Sequence, residues 1–217
     1  MQQTLDFLKK IKKNNNKEWF EKNKPVYLQS KKDLEEIVTK VLTLTSKFDK
    51  EVVGINPAKT IFRIYKDVRF SKDKTPYKTN MGAHITPGTK GSDLPGYYIH
   101  IEPGNCFLGG GCYMPMPDKL AAIRQEIDYN FTDFKKLLAN KDLKKYFGGL
   151  ADEEKLVNPP KGYDKENPAV EILKNKHFVL MHKFDDKELL KTDFPKYAAS
   201  AFKAMHPFIL FLREAVK

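Results

Sequence analysis

The spacing of the apolar residues changes twice along this chain, and the two changes bound what it can fold into. Up to Phe48 apolar side chains recur every third or fourth residue. Between Thr60 and Pro115 they recur every second, and beyond Pro117 the helical spacing returns. Leu5, Phe7, Leu8 and Ile11 form one face of a short helix that breaks at Asn14-Asn15-Asn16. Asn16 is placed to cap a second helix, with Trp19, Phe20, Leu34, Val38 and Val41 among its inward residues. Pro25 is expected to kink or split it.

The middle block predicts four strands, at 61–70, 81–87, 97–102 and 107–113. Turn-rich "SKDKTPYKT", "TPGTKGSDLPG" and "EPGN" separate them. Connections this short favour an antiparallel meander. Helices follow around Leu120–Ile127 and from Phe134 to Phe147, the latter stopping at Gly148-Gly149. Asn167-Pro168 reads as another helix start and 177–184 as a fifth strand. Asp185 and Glu188 have capping-box spacing, and a last helix covers 194–217. A fifth strand that returns to the block from afar favours one α+β domain over 1–217. Its antiparallel sheet of about five strands is flanked by N-terminal and C-terminal helices.

With 41% hydrophobic and 31% charged residues the composition is that of a folded globular chain, not a disordered one. No apolar run reaches the roughly 18–20 residues that span a bilayer. The first residues interleave lysine with apolar positions and lack the continuous apolar core of a secretory signal, so the expectation is a cytoplasmic protein with no membrane partner. The spacing of Cys106 and Cys112 leaves a disulfide open, but two cysteines make no stapled framework, and both read as small buried thiols.

The formal net charge is +11, and its densest part is 59–78, with seven Lys or Arg against two Asp. Within it, "FRIYKDVRF" alternates like a strand. Phe62, Ile64, Val68 and Phe70 fall on one side, and Arg63, Tyr65, Asp67 and Arg69 on the other. The 97–102 strand splits similarly, with Ile99 and Ile101 opposite Tyr98, His100 and Glu102. His84, and Lys183 or His182 depending on register, could join that polar side. Antiparallel sheets often turn one polar face to water, which is the ordinary reading. The residue types argue further: arginines, tyrosines and a histidine hold anions, stack and move protons.

These residues make an anionic small molecule, of phosphate-bearing type, the leading expectation. Arg63, Tyr65, Asp67, Arg69 and Tyr98 would bind it, with Lys74, Tyr77 and Lys78 on the rim. His100 and Glu102 would be the acid–base pair were the protein an enzyme. Nucleic acid held by the basic 59–78 region is the second reading, although no nucleic-acid motif is present, and a protein-docking face is the third. The five histidines lack metal-site spacing, and no cofactor is indicated. Gly109-Gly110-Gly111 leads into no helix and carries no phosphate-loop pattern, so it reads as a bulge or a close backbone approach.

The blocks "TLDFLKKIKKNNNKEWFEKNKPVY", "FRIYKDVRFSKDKTPYKTNMGAHI", "GYYIHIEPG" and "FLGGGCYMP" together resemble the domain of unknown function 2461 family. The likeness runs from Thr4 to about Leu212. It implies a single α+β domain of a kind found mostly in bacteria and fungi, and it brings with it no activity, substrate or catalytic residues.

Overall fold

The computed structural model describes residues 1–88, 92, 94–151 and 154–217. Part of the expected 86–96 turn, at Thr89, Lys90, Gly91 and Asp93, lies outside the described residues. The elements run α1 (Gln2–Lys13), α2 (Lys17–Thr45), a 3-10 turn (Lys50–Val52), α3 (Pro57–Thr60), β1 (Met81–Ile85), β2 (Gly96–Ile101) and β3 (Cys106–Cys112). They continue with α4 (Pro117–Tyr129), α5 (Phe131–Leu138), α6 (Lys141–Phe147), α7 (Val170–Leu173), β4 (Phe178–Phe184), α8 (Asp186–Leu189) and α9 (Phe194–Ala215). The protein is α+β, and its strands form one antiparallel sheet in the order β1-β2-β3-β4. No helix among the described residues is long and apolar enough to cross a membrane.

Four of the five expected strands are present, and the expected strand at 61–70 is not one of them. The chain there is extended but bends at Ile64. Ile61 bridges Ala83 and Tyr65 bridges Tyr77, both antiparallel. Between those bridges one arm advances four residues and the other six, so the pairing cannot stay regular. The backbone bonds that remain are Phe62 N–H to Gly82 O (3.0 Å), Lys66 N–H to Pro76 O (2.9 Å) and Lys78 N–H to Ile64 O (2.7 Å). The bend also cancels the two-residue alternation. Ile61 and Ile64, three apart, are buried, whereas Phe62 is 46% and Phe70 95% exposed. Asn15 closes the free edge of this ladder. Its Nδ2 donates to Tyr77 O at 2.8 Å, and its Oδ1 accepts from Tyr77 N–H at 3.0 Å.

The chain divides into two compact units. The first comprises Met1–Ile85, Tyr98–Leu108 and Lys183–Ser200. Here α1 buries Leu5, Phe7, Leu8 and Ile11 as its spacing requires. The Asn16 cap forms, with Oδ1 accepting from Trp19 N–H at 2.9 Å. α2 is a single helix with Pro25 inside it, not two pieces. A mid-helix proline costs about 3 kcal/mol, and burial of Phe20, Leu34, Val38, Val41 and Leu42 offsets that loss. The Phe7 ring lies 5.9 Å from Trp19 and 6.0 Å from Tyr27, which ties the two helices together.

The second unit comprises Thr86–Tyr97, Gly109–His182 and Ala201–Lys217. Tyr97 stacks on Phe202 at 4.8 Å and shares a 2.8 Å hydrogen bond with His206 Nδ1. Arg124 holds the end of α7, its guanidinium donating to Leu173 O (2.7 Å) and Asn175 O (3.1 Å). His182 donates from Nδ1 to Tyr146 O at 2.6 Å. Both cysteines are buried, and neither is in a disulfide.

The glycine run does structural work. A side chain at Gly110 would overlap Met205 and crowd Gly96 O at 2.8 Å. Gly111 sits at φ +126°, where a Cβ would overlap the Phe178 carbonyl and lie 2.9 Å from Val179 Cα. Gly111→Ala is therefore expected to lower unfolding free energy by at least about 2 kcal/mol. Gly149→Ala, with nothing within 4 Å, should stay close to wild type. Denaturant midpoints of the two variants check this, and equal midpoints would contradict it.

Candidate functional site

β2 alternates strictly. Tyr97, Ile99 and Ile101 are fully buried, and their neighbours Tyr98, His100 and Glu102 project to the opposite side. The apolar half anchors the strand, so the polar half is presented on rigid backbone. The alternation read from the sequence is the one observed, and it brings Tyr98, His100 and Glu102 into a connected row.

The Tyr98 hydroxyl lies 3.0 Å from His100 Nδ1. His100 Nε2 lies 3.5 Å from Glu102 Oε2, without a hydrogen bond and close enough to form an ion pair once the imidazole is protonated. His100 is only 9% exposed, and Phe107 from β3 stacks on its ring at 4.5 Å and 15°. Glu102 is held by Asn105 Nδ2, which donates to Oε2 at 3.1 Å, and by the Thr79 hydroxyl, which donates to Oε1 at 3.4 Å. Tyr98 lies over Gly82 of β1, where a Cβ would come within 2.9 Å of its ring. Gly82 leaves the room that the phenol occupies.

The charges follow from burial. The Tyr98 phenol is pushed up to about 12 by burial, so it stays protonated near neutrality. Burial lowers His100 below the usual histidine value, against the pull of Glu102. For Glu102 burial acts upward, but Asn105 and His100 outweigh it and hold the carboxyl below its usual range. The row at neutral pH is thus a phenol, a neutral imidazole and a carboxylate. His84 on β1 is also lowered, by burial alone.

Two cations stand near this row. Lys78 Nζ lies 5.3 Å from the centre of the Phe62 ring, and that ring lies 6.0 Å from Tyr98. Burial lowers the Lys78 pKa, and the neighbouring Arg63 lowers it further. Among the described residues neither side chain has an ion pair or a side-chain hydrogen bond. Arg63 also acts on the Asp67 carboxylate, but at a distance and without an ion pair, so the two like charges still favour an anion near them.

The other expected binding residues are placed differently. Tyr65 and Tyr77 stand opposite each other, rings 5.4 Å apart, and pack on Phe20 of α2, with Tyr77 stacked at 4.1 Å. Asp67 and Arg69 pair with each other, Nε to Oδ1 at 3.0 Å and a terminal nitrogen to Oδ2 at 2.7 Å, on the surface. Lys74 donates to Val68 O at 2.9 Å, and Lys66 meets Asp73 at 2.7 Å and the Thr75 hydroxyl at 2.6 Å. That contact holds the Asp73 carboxyl well below its usual range. Much of the basic loop therefore satisfies itself.

Phe62, Thr79, Gly82, Asn105 and Phe107 also shape the site, and sequence reasoning did not single them out. Only Gly82 carried a signal, a glycine inside a strand pattern, which marks a close approach. Among the described residues no group of three or more His, Cys, Asp or Glu is placed to hold a metal ion.

Two depressed histidines give the stability a sign with pH. Below the ordinary value of about 6.5 the unfolded chain takes up protons that folded His84 and His100 do not. Their contribution is complete above about pH 6.5 and is lost as pH falls. The melting temperature should drop between about pH 7.5 and about pH 5.5, and the drop should shrink in His84→Gln/His100→Gln. An identical drop in wild type and variant would contradict this assignment.

No curated protein and no solved structure matches the chain. Residues 3–211 match a family described as "Conserved hypothetical protein (DUF2461)". With nearly the whole sequence matched, and with an α+β architecture in agreement with the resemblance read from its motifs, the chain belongs to the DUF2461 family.

Proposed function

We propose that the protein binds an anionic, phosphate-bearing small molecule beside the Tyr98–His100–Glu102 row. Arg63 and Lys78 supply the positive charge, and Phe62 supplies an apolar surface. The single observation that carries this reading is the half-buried Lys78 placed next to the Arg63 guanidinium, with no ion pair or side-chain hydrogen bond on either among the described residues. Holding an ammonium partly out of water beside a guanidinium is unfavourable, and a bound anion relieves both penalties. Arginine also offers a planar fork that matches phosphate oxygens.

The nucleic-acid reading draws on the basic 59–78 region, whose 66–75 loop holds Lys66, Lys72 and Lys74. Lys66 and Lys74 already have partners in their own loop, which leaves less free charge there for a phosphate backbone. Arg69 is likewise neutralised by Asp67. The small-molecule reading is preferred on that ground.

Thermal stability across nucleotides, sugar phosphates and short oligonucleotides, at low and near-physiological salt, separates the two readings. A ligand at a hundred times its Kd adds about 2.7 kcal/mol. At least one small phosphate compound should raise the melting temperature at both salt levels, and Arg63→Ala/Lys78→Ala should abolish the rise. Stabilisation by oligonucleotides alone, lost with salt and retained in the double variant, would replace this reading with the basic loop.

A further inference from the structure

We propose that Tyr98, His100 and Glu102 form a proton relay that makes the site an acid–base centre. Tyr98 is the group that meets the bound molecule, and His100 and Glu102 act through it. The proposal rests on the anion-site reading for the identity of the reacting partner. The relay itself stands on the geometry of the row.

The hydrogen positions follow from the neighbours. Glu102 is ionised, so its Oε2 faces His100 Nε2 favourably only if that nitrogen carries the proton. Nδ1 then holds the lone pair and accepts from the Tyr98 hydroxyl at 3.0 Å. The order is phenol O–H to Nδ1, and Nε2–H toward carboxylate. This is the logic of a hydroxyl–imidazole–carboxylate triad with a phenol in the hydroxyl's place. The imidazole is the enclosed member. Phe107 covers its face, and Tyr98 and Glu102 are the partly exposed ends of the row. The carboxylate also accepts from the Asn105 amide and the Thr79 hydroxyl, and the Lys12 charge acts on it.

The step balances without a further reagent. An O–H of the bound molecule, or of water beside it, gives its proton to Tyr98 Oη. Oη passes its own proton to His100 Nδ1, leaving an oxyanion on the bound molecule and an imidazolium in the row. Arg63 and Lys78 stand near the new negative charge, and Glu102 stands against the new positive one. The substrate class is therefore a phosphate-bearing compound with a hydroxyl, or one attacked by water. The reverse path returns the proton.

Nitrogen-15 and carbon-13 NMR of histidine- and tyrosine-labelled full-length protein, with no ligand, tests the relay. Neutral His100 should be the Nε2–H tautomer. Its Nδ1 signal should show a hydrogen-bonded acceptor in wild type and a free one in Tyr98→Phe. On acidification the Tyr98 Cζ and His100 Nδ1 signals should titrate with one midpoint. In Glu102→Gln the tautomer should become mixed and the proton affinity of His100 should fall roughly tenfold. An Nδ1–H tautomer in wild type, which needs no variant to be seen, or a Glu102→Gln spectrum unchanged in tautomer and midpoint, would overturn the relay. Adding inorganic phosphate then tests the reading beneath it. Tyr98 should shift in wild type and stay still in Arg63→Ala/Lys78→Ala. A silent phosphate titration with the Nε2–H tautomer in place would fail the anion site and leave the relay supported.

Discussion

An imidazole buried to nine-tenths is the constraint on which the candidate site depends. Burial keeps His100 neutral, and a neutral imidazole has one donor and one acceptor, each needing a different kind of partner. The chain sets a group of each kind beside it at alternate positions, Tyr98 two residues before at 3.0 Å and Glu102, just past the end of β2, two residues after at 3.5 Å. This works only because β2 stays pleated, and it stays pleated because Tyr97, Ile99 and Ile101 are anchored in apolar surroundings. The partly open end of the row is the phenol, positioned by the missing side chain at Gly82.

The segment from Ile61 to Tyr77 serves the site in another way. Because its ladder carries two more residues on one arm than on the other, it turns between its two halves. The first half sets Phe62 beside Tyr98. The second sets Tyr65 and Tyr77 against Phe20, with Asn15 completing the hydrogen bonds of Tyr77. The irregularity lets one stretch of chain furnish an aromatic wall for the site and an aromatic plug for the helical layer. Arg63 lies between these two duties and is left exposed, with no ion pair among the described residues.

Much of this was legible in the sequence where one physical rule dominated. The switch from helical to two-residue spacing located β1, β2 and β3, and β4 was read as a separate strand beyond that block. The row Tyr98, His100 and Glu102 followed from parity alone. Parity misled at 61–70, where Phe62 and Phe70 counted as buried but stand exposed. There the register is broken by the unequal arms of the ladder, which a single chain's alternation cannot reveal. The role of Asn15 was equally hidden, since its partner lies 62 residues away. The pairing of Lys66 with Asp73 changed the meaning of the basic loop. In the sequence it is a run of free charge, and in the structure it is a loop folded on its own carboxylates and carbonyls.

The central claim is that Arg63 and Lys78 hold an anion next to Tyr98. A crystal structure of the full chain soaked with inorganic phosphate, and separately with a nucleotide, measures this most directly. The account predicts anion density between the Arg63 guanidinium and Lys78 Nζ, within hydrogen-bond reach of the Tyr98 hydroxyl or one water removed. Density on the 66–75 loop, with that position empty in both soaks, would contradict it.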